Sequence, residues 1–242
     1  MKNILNISFS MLAGVMLLTS CKKNEIKYGD FELIDPNKAL FKINFMSQYQ
    51  SNPNAVFSID GTRVSGSVAA RTPWPGGGLN TGGGSTANYM MYPAGQHELR
   101  VVVPSKITLE DSVELYKTTF NLEGGKYQTL HVTDTAANTY STMQIDDLTR
   151  PDSGVVRYKF MNLMPDAPPL SLYYNNVLMV ENVAYKEVKE FTKASSLTAA
   201  TAGWEARAAA PSTFKVAYTT SAGVISSQLN QRVFTVFTSG YT

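Results

Sequence analysis

The stretch Phe57-Ser58-Ile59-Asp60-Gly61 decides the fold. Alternating apolar side chains mark a strand with one buried face. The Asp-Gly that follows is a hairpin dipeptide, since both central residues of a tight β-turn need positive φ. The same device recurs 115 residues later as Leu172-Tyr173-Tyr174-Asn175-Asn176. Outward from this pair, Lys42-Ile43-Asn44-Phe45-Met46 falls on Arg157-Tyr158-Lys159-Phe160-Met161 at the same offset, without a gap. Further along, Ala94-Gly95-Gln96-His97-Glu98 falls on Ala202-Gly203-Trp204-Glu205-Ala206 at an offset of 108, so the first copy carries a net insertion of 7 residues. The Pro- and Gly-rich residues 73–84 are the place for it. Gly125-Lys126-Tyr127-Gln128-Thr129-Leu130 resembles Gln231-Arg232-Val233-Phe234-Thr235-Val236.

Short strand-like runs fill both copies. In the first they cover 40–46, 56–59, 98–103, 113–122 and 127–132. In the second they cover 155–163, 170–174, 206–210, 214–219, 224–229 and 233–237. Residues 185–196 have some helix propensity, but their counterpart is rich in Gly and Pro, so extended structure is expected. Many short strands between turn residues predict an all-β chain of two tandem antiparallel β-sandwich modules, immunoglobulin-like or transthyretin-like. Residues 134–153 are polar and turn-rich and read as a linker, which places module 1 with its linker at 39–150 and module 2 at 151–242. The second module ends just after a strand and reads as short of a closing one.

Composition agrees with a packed core. The chain has 242 residues, 43% of them hydrophobic, and a formal net charge of +2. A charge so near zero gives no electrostatic reason to expect nucleic acid. The single cysteine excludes an intrachain disulfide and a multi-cysteine zinc site. It lies at the end of Leu18-Thr19-Ser20-Cys21, after a positive start and an interrupted apolar run at 4–18. That run is shorter than the roughly 20 apolar residues that span a bilayer and reads as a signal peptide. Its last four residues resemble the lipobox of bacterial lipoproteins. The resemblance implies cleavage after residue 20, lipidation of Cys21 and membrane anchoring through two or more acyl chains. No Asp follows Cys21, which favours the outer membrane. Residues 21–38 are charged and polar and read as a tether; an edge strand at 31–34 is the alternative.

Asn162 and Pro165-Asp166-Ala167-Pro168, followed by a strand that ends in Asn175-Asn176, resemble the opening of the bacterial module called domain of unknown function 4397. The later Ala-Gly and the basic residue before Phe234-Thr235 also fit. The first copy departs from the pattern, with Ser51-Asn52-Pro53-Asn54-Ala55 in place of Pro-Asp-Ala-Pro. The resemblance implies secreted or lipid-anchored sandwich modules and carries no activity.

Catalytic signatures are sparse. His97 and His131 have no histidine counterparts in the second copy and read as structural or surface residues. Glycine runs at 76–78 and 82–84 lack the Lys-Ser/Thr and the helix of a phosphate loop. The motif Ser212-x-x-Lys215 lacks its companion motifs. Asp146, Asp147 and Asp152 read as a solvated acidic linker, with a share in a calcium site as the alternative. Asp60, Glu98, Asp166 and Glu205 have no feature that selects them.

Aromatic residues offer the best binding candidates. Trp74 sits between two prolines in the insertion and either stacks on a ligand or folds onto the sandwich. Tyr173 and Tyr174 are strand neighbours and face opposite sides; Tyr174 joins Trp74 as a candidate ligand contact, and Trp204 is expected in the core. No catalytic, metal or cofactor set is expected. The function expected is that of a non-catalytic cell-envelope lipoprotein, membrane-anchored through Cys21, whose modules bind a glycan or a surface protein. A structural spacer or assembly subunit is the alternative, and a carboxylate-based hydrolase ranks last.

Overall fold

The computed structural model describes residues 35–78, 86–105, 111–195, 202–220 and 230–242. The signal peptide, Cys21, nearly all of the tether, the second glycine run and the strand expected at 224–229 lie outside these residues.

The first set of strands is β1 (Lys38–Phe45), β2 (Val56–Ile59), β3 (Thr62–Arg63), β4 (Pro73–Trp74), β5 (Met90–Pro93), β6 (Gly95–Pro104), β7 (Asp111–Leu122), β8 (Tyr127–Thr133) and β9 (Tyr140–Ile145). They form two sheets, β4-β1-β8-β9, with β5 also paired to β1, and β3-β2-β6-β7. The second set is β10 (Val155–Leu163), β11 (Leu170–Tyr174), β12 (Val177–Val183), β13 (Val188–Ala194), β14 (Ala202–Ala208), β15 (Lys215–Thr220) and β16 (Val233–Ser239). Its sheets run β13-β10-β16 and β12-β11-β14-β15.

Strand alternation builds each core. Phe41, Ile43 and Phe45 of β1, Phe57 and Ile59 of β2, Leu99 and Val101 of β6 and Leu130 and Val132 of β8 are buried together. Val156, Tyr158 and Phe160 of β10 meet Leu172 and Tyr174 of β11 and Trp204 of β14 in the second core. Each core draws on both sheets of its set, so the fold is an all-β sandwich type, as the sequence predicts. Within the segment expected to be extended at 185–196, Val188–Ala194 forms β13, where it pairs with β10.

The hairpin dipeptides behave as expected. Asp60 and Gly61 have φ of 51° and 75°, and Asn175 and Asn176 of 46° and 65°. In both hairpins the first turn residue is tied to the neighbouring strand opposite its hairpin partner, β6 or β14: Asp60 Oδ1 accepts from the Glu98 N–H at 2.9 Å and Asn175 Oδ1 from the Gly203 N–H at 2.7 Å.

Three sequence expectations are corrected. Residues 134–153 are not a simple linker, since β9 lies within them and extends the sheet beside β8. Pairing is not antiparallel throughout: β1 runs parallel to β8 and β10 parallel to β16. The repeat alignment also shifts. Ile59 opposes Leu99 and Tyr174 opposes Trp204, an offset of 105 for these strands instead of 108, which makes the net insertion 10 residues instead of 7. Likewise Lys42 opposes Thr129 and Lys159 opposes Thr235, so Lys42 corresponds to Lys159, not to Arg157. A slip of two residues keeps every side chain on its face, so alternation alone does not detect it.

Candidate functional site

Both sets of strands belong to one compact unit, Ile34–Thr242. Because Phe41, Ile43 and Phe45 face the first core, Lys42 and Asn44 face outward. Their partners Thr129 and His131 share that outer face. In the second set the outer face of β10 and β16 carries Lys159, Met161, Thr235 and Phe237. The two outer faces line a cavity of about 260 Å³, with Tyr89, Pro73 and Asp146 to Leu148 completing its wall. Polar residues that would be solvated on an isolated sandwich are therefore buried.

Asp146 sits at the centre of this polar cluster. Its backbone N–H donates to Tyr127 at 2.7 Å, which draws the residue under the sheet just after β9. Its Oδ2 accepts from the Tyr89 hydroxyl at 2.8 Å and from the Thr129 hydroxyl. The Lys42 ammonium lies 3.9 Å from the same oxygen and 4.8 Å from the centre of the Tyr89 ring. Burial lowers the Lys42 pKa against the opposing pull of Asp146. Burial, with the Asp146 charge, raises that of Tyr89. The expectation of a solvated acidic linker is thus corrected at Asp146, which is 9% exposed.

His131 is 1% exposed. The Asn44 amide donates to its Nδ1 at 3.3 Å, which leaves the ring proton on Nε2. Burial, with the charge of Lys42, pushes its pKa down to about 3, so the ring is neutral at physiological pH. Phe237 meets it edge-on at 5.8 Å.

Across the cavity, Lys159 donates to the Ile145 carbonyl at 2.7 Å and pairs with Glu190 at 3.3 Å. Arg157 pairs with Asp147 at 2.9 Å and donates to the carbonyls of Asp147 and Thr149. Hydrogen bonds from Thr149, then the Arg157 charge, hold the Asp147 carboxyl down to about 2.

A second polar cluster joins the two sets of strands. Asp134, at φ 78°, accepts from the hydroxyls of Tyr185 at 2.9 Å and Tyr241 at 2.6 Å. The Thr133 hydroxyl donates to the Leu163 carbonyl at 2.8 Å.

The candidate aromatics lie in different sets and are not brought together. Trp74 pairs with Ile43 as part of β4 and sets its ring edge-on to Phe57 of the core at 5.9 Å. Tyr174 is buried against Trp204 with ring centres 4.7 Å apart, and Lys193 lies over it at 4.4 Å. Tyr173 is the outward member of its pair and carries the Arg207 guanidinium over its ring at 4.3 Å.

His97 braces a corner, with Nδ1 2.6 Å from Asp60 and Nε2 3.0 Å from the Pro93 carbonyl. Glu98 pairs with Lys117, Glu205 with Arg207 and Lys215, and Asp166 accepts from Thr242. Among the described residues, no three His, Cys, Asp or Glu side chains are grouped as a metal site requires. No helix among them is long and apolar enough to cross a membrane.

The residues gathered in the cavity, Lys42, His131, Lys159 and Phe237, come from four separate strands. No local motif in the sequence links them. For Lys42, His131 and Lys159 the one signal is a polar residue on the outward step of a core strand, and Phe237 carries none.

The fold and this cavity define a β-sandwich protein with a partly open chamber between paired sheets, lined by polar and apolar side chains. Residues 43–173, over half of the chain, match the family model described as Domain of unknown function (DUF4397). The chain belongs to that family. The match begins in β1 and ends in β11, so it includes the Pro-Asp-Ala-Pro segment. Asn162 explains part of that pattern. Its side chain accepts from the Met164 N–H at 3.0 Å and the Thr238 hydroxyl at 3.1 Å and donates to the Val183 carbonyl at 3.2 Å, which fixes the loop before β11. No curated protein matches the chain.

Proposed function

We propose that this chain is a non-catalytic cell-envelope lipoprotein that binds a small ligand or the end of a glycan in the cavity between its sheets. The cavity itself carries the reading: about 260 Å³ bounded by an aromatic ring, hydroxyls and two lysines. Ligand sites are concave, largely preformed and fitted with a few convergent polar groups. Trp74 and Tyr174 then serve packing, and the cavity replaces them as the contact surface. Residues 151–242 are a second copy of the family module, supported by the matching strand orders and paired turn contacts.

Capture of envelope glycans and pull-down of envelope material by purified protein test the reading. Thr235→Trp places an indole at the cavity wall and should abolish capture. A wild-type protein that captures nothing, or a variant that captures equally well, overturns it. Anchoring is tested separately: Cys21→Ala should release the protein from membranes and block acyl labelling, and a variant that stays membrane-bound refutes the lipobox reading. The polar lock around Asp134 also suits a rigid spacer in an envelope assembly. Crosslinking in cells that recovers only monomer counts against that role.

A further inference from the structure

We propose that the cavity binds an acidic monosaccharide, one sugar ring with a single carboxylate held between Lys42 and Lys159. The inference rests on the ligand-binding reading above and names the ligand class.

The cavity is rich in uncommitted donors. Among the described residues the Lys42 ammonium has no acceptor at hydrogen-bond distance, the Asp146 oxygen being 3.9 Å away. His131 offers its Nε2–H, since Asn44 occupies Nδ1. Lys159 has three N–H donors and spends one on Ile145 and one on Glu190, leaving one. Three donors on two facing walls call for an acceptor that reaches both.

Charge narrows the class. Of the charged side chains that line the cavity, Lys42, Lys159 and Arg232 stand against Asp146 and Asp147, which leaves one positive charge there. A monoanion neutralises it. Hydrogen bonds to a charged group are stronger than those between neutral groups and lose more when a partner is removed. The remaining lining suits a sugar: the hydroxyls of Thr129 and Thr235, the Asn44 amide and the flat ring of Phe237. Size sets the limit. The volume of about 260 Å³ lies just below the roughly 300–1,000 Å³ of pockets for drug-sized ligands, which favours one ring over an oligosaccharide.

The purified full chain is titrated calorimetrically at pH 7 with sodium glucuronate, glucose and inorganic phosphate. Glucuronate should bind, and glucose and phosphate should bind at least about tenfold more weakly. Lys42→Met and Lys159→Gln, on opposite walls, should each weaken glucuronate about tenfold or more. Either variant suffices if the other fails to fold. Burial lowers the Lys42 pKa, so binding should also weaken as the pH rises toward the ordinary lysine value. Equal affinity for glucose, or indifference to both lysine substitutions, overturns the acidic class. Equal affinity for phosphate overturns the sugar. If glucuronate fails while Thr235→Trp still abolishes capture of envelope material, the cavity serves another ligand class. If both fail, the reading in the preceding subsection falls as well.

Discussion

His131 shows what burial does to one side chain. The unfolded imidazole takes a proton below its ordinary value of 6.5, whereas the folded one resists until about pH 3. Between those values the unfolded state binds more protons, so stability falls as the pH falls, at up to about 1.4 kcal/mol per pH unit. His131→Gln should flatten this slope between pH 6.5 and 4.5, read as the shift in urea midpoint. Equal shifts in variant and wild type would show that another group carries the acid sensitivity. Tyr89 offers a second test: Tyr89→Phe removes the 2.8 Å bond to Asp146 and should cost about 1–3 kcal/mol in chemical denaturation. A change within error would mean that water replaces the hydroxyl. Asp146 itself marks where reading residues one at a time stops. It stands in a polar stretch and looks solvated, and only the pairing of β9 with β8 places it beneath Tyr89. Burial is a property of neighbours, and these come from residues 42, 89 and 129.

At the scale of the element, the hairpins were the most legible feature. Asp60-Gly61 and Asn175-Asn176 announce positive φ by residue type alone, and the alternation before each assigns the buried face. Gly61 isolates the backbone effect, because a Cβ there would meet nothing within 4 Å. Gly61→Ala should therefore destabilise by about 1 kcal/mol through the left-handed conformation alone. An unchanged melting temperature would mean that the turn relaxes. The register of β1 and β10 was illegible for a symmetrical reason. Two-residue slips preserve the alternation, and the difference is absorbed in the loop between β1 and β2, where Ser51-Asn52-Pro53-Asn54-Ala55 replaces the Pro-Asp-Ala-Pro of the other set. Parallel pairing was equally hidden, because a strand's sequence does not state the direction of its neighbour.

At the scale of the whole molecule, the two cores are joined by polar contacts, and Asp134 carries two of them. Asp134→Ala also puts a β-carbon residue without a polar group at φ 78°. Wild-type protein should unfold in one calorimetric transition, and Asp134→Ala should separate it into two. A single transition in the variant would show that the cavity walls alone couple the cores. The parallel pairs have a temporal consequence. Asn44 meets His131 across 87 residues of chain, and Asn162 meets Thr238 across 76. The opening strand of each sandwich must therefore wait, unpartnered on that side, until β8 or β16, near the end of its set, has been made. Such distant closure makes folding slow, because chain entropy is lost before the contacts that repay it exist. The first sandwich can close while the second is still emerging, so the chamber between them is the last part of the molecule to form.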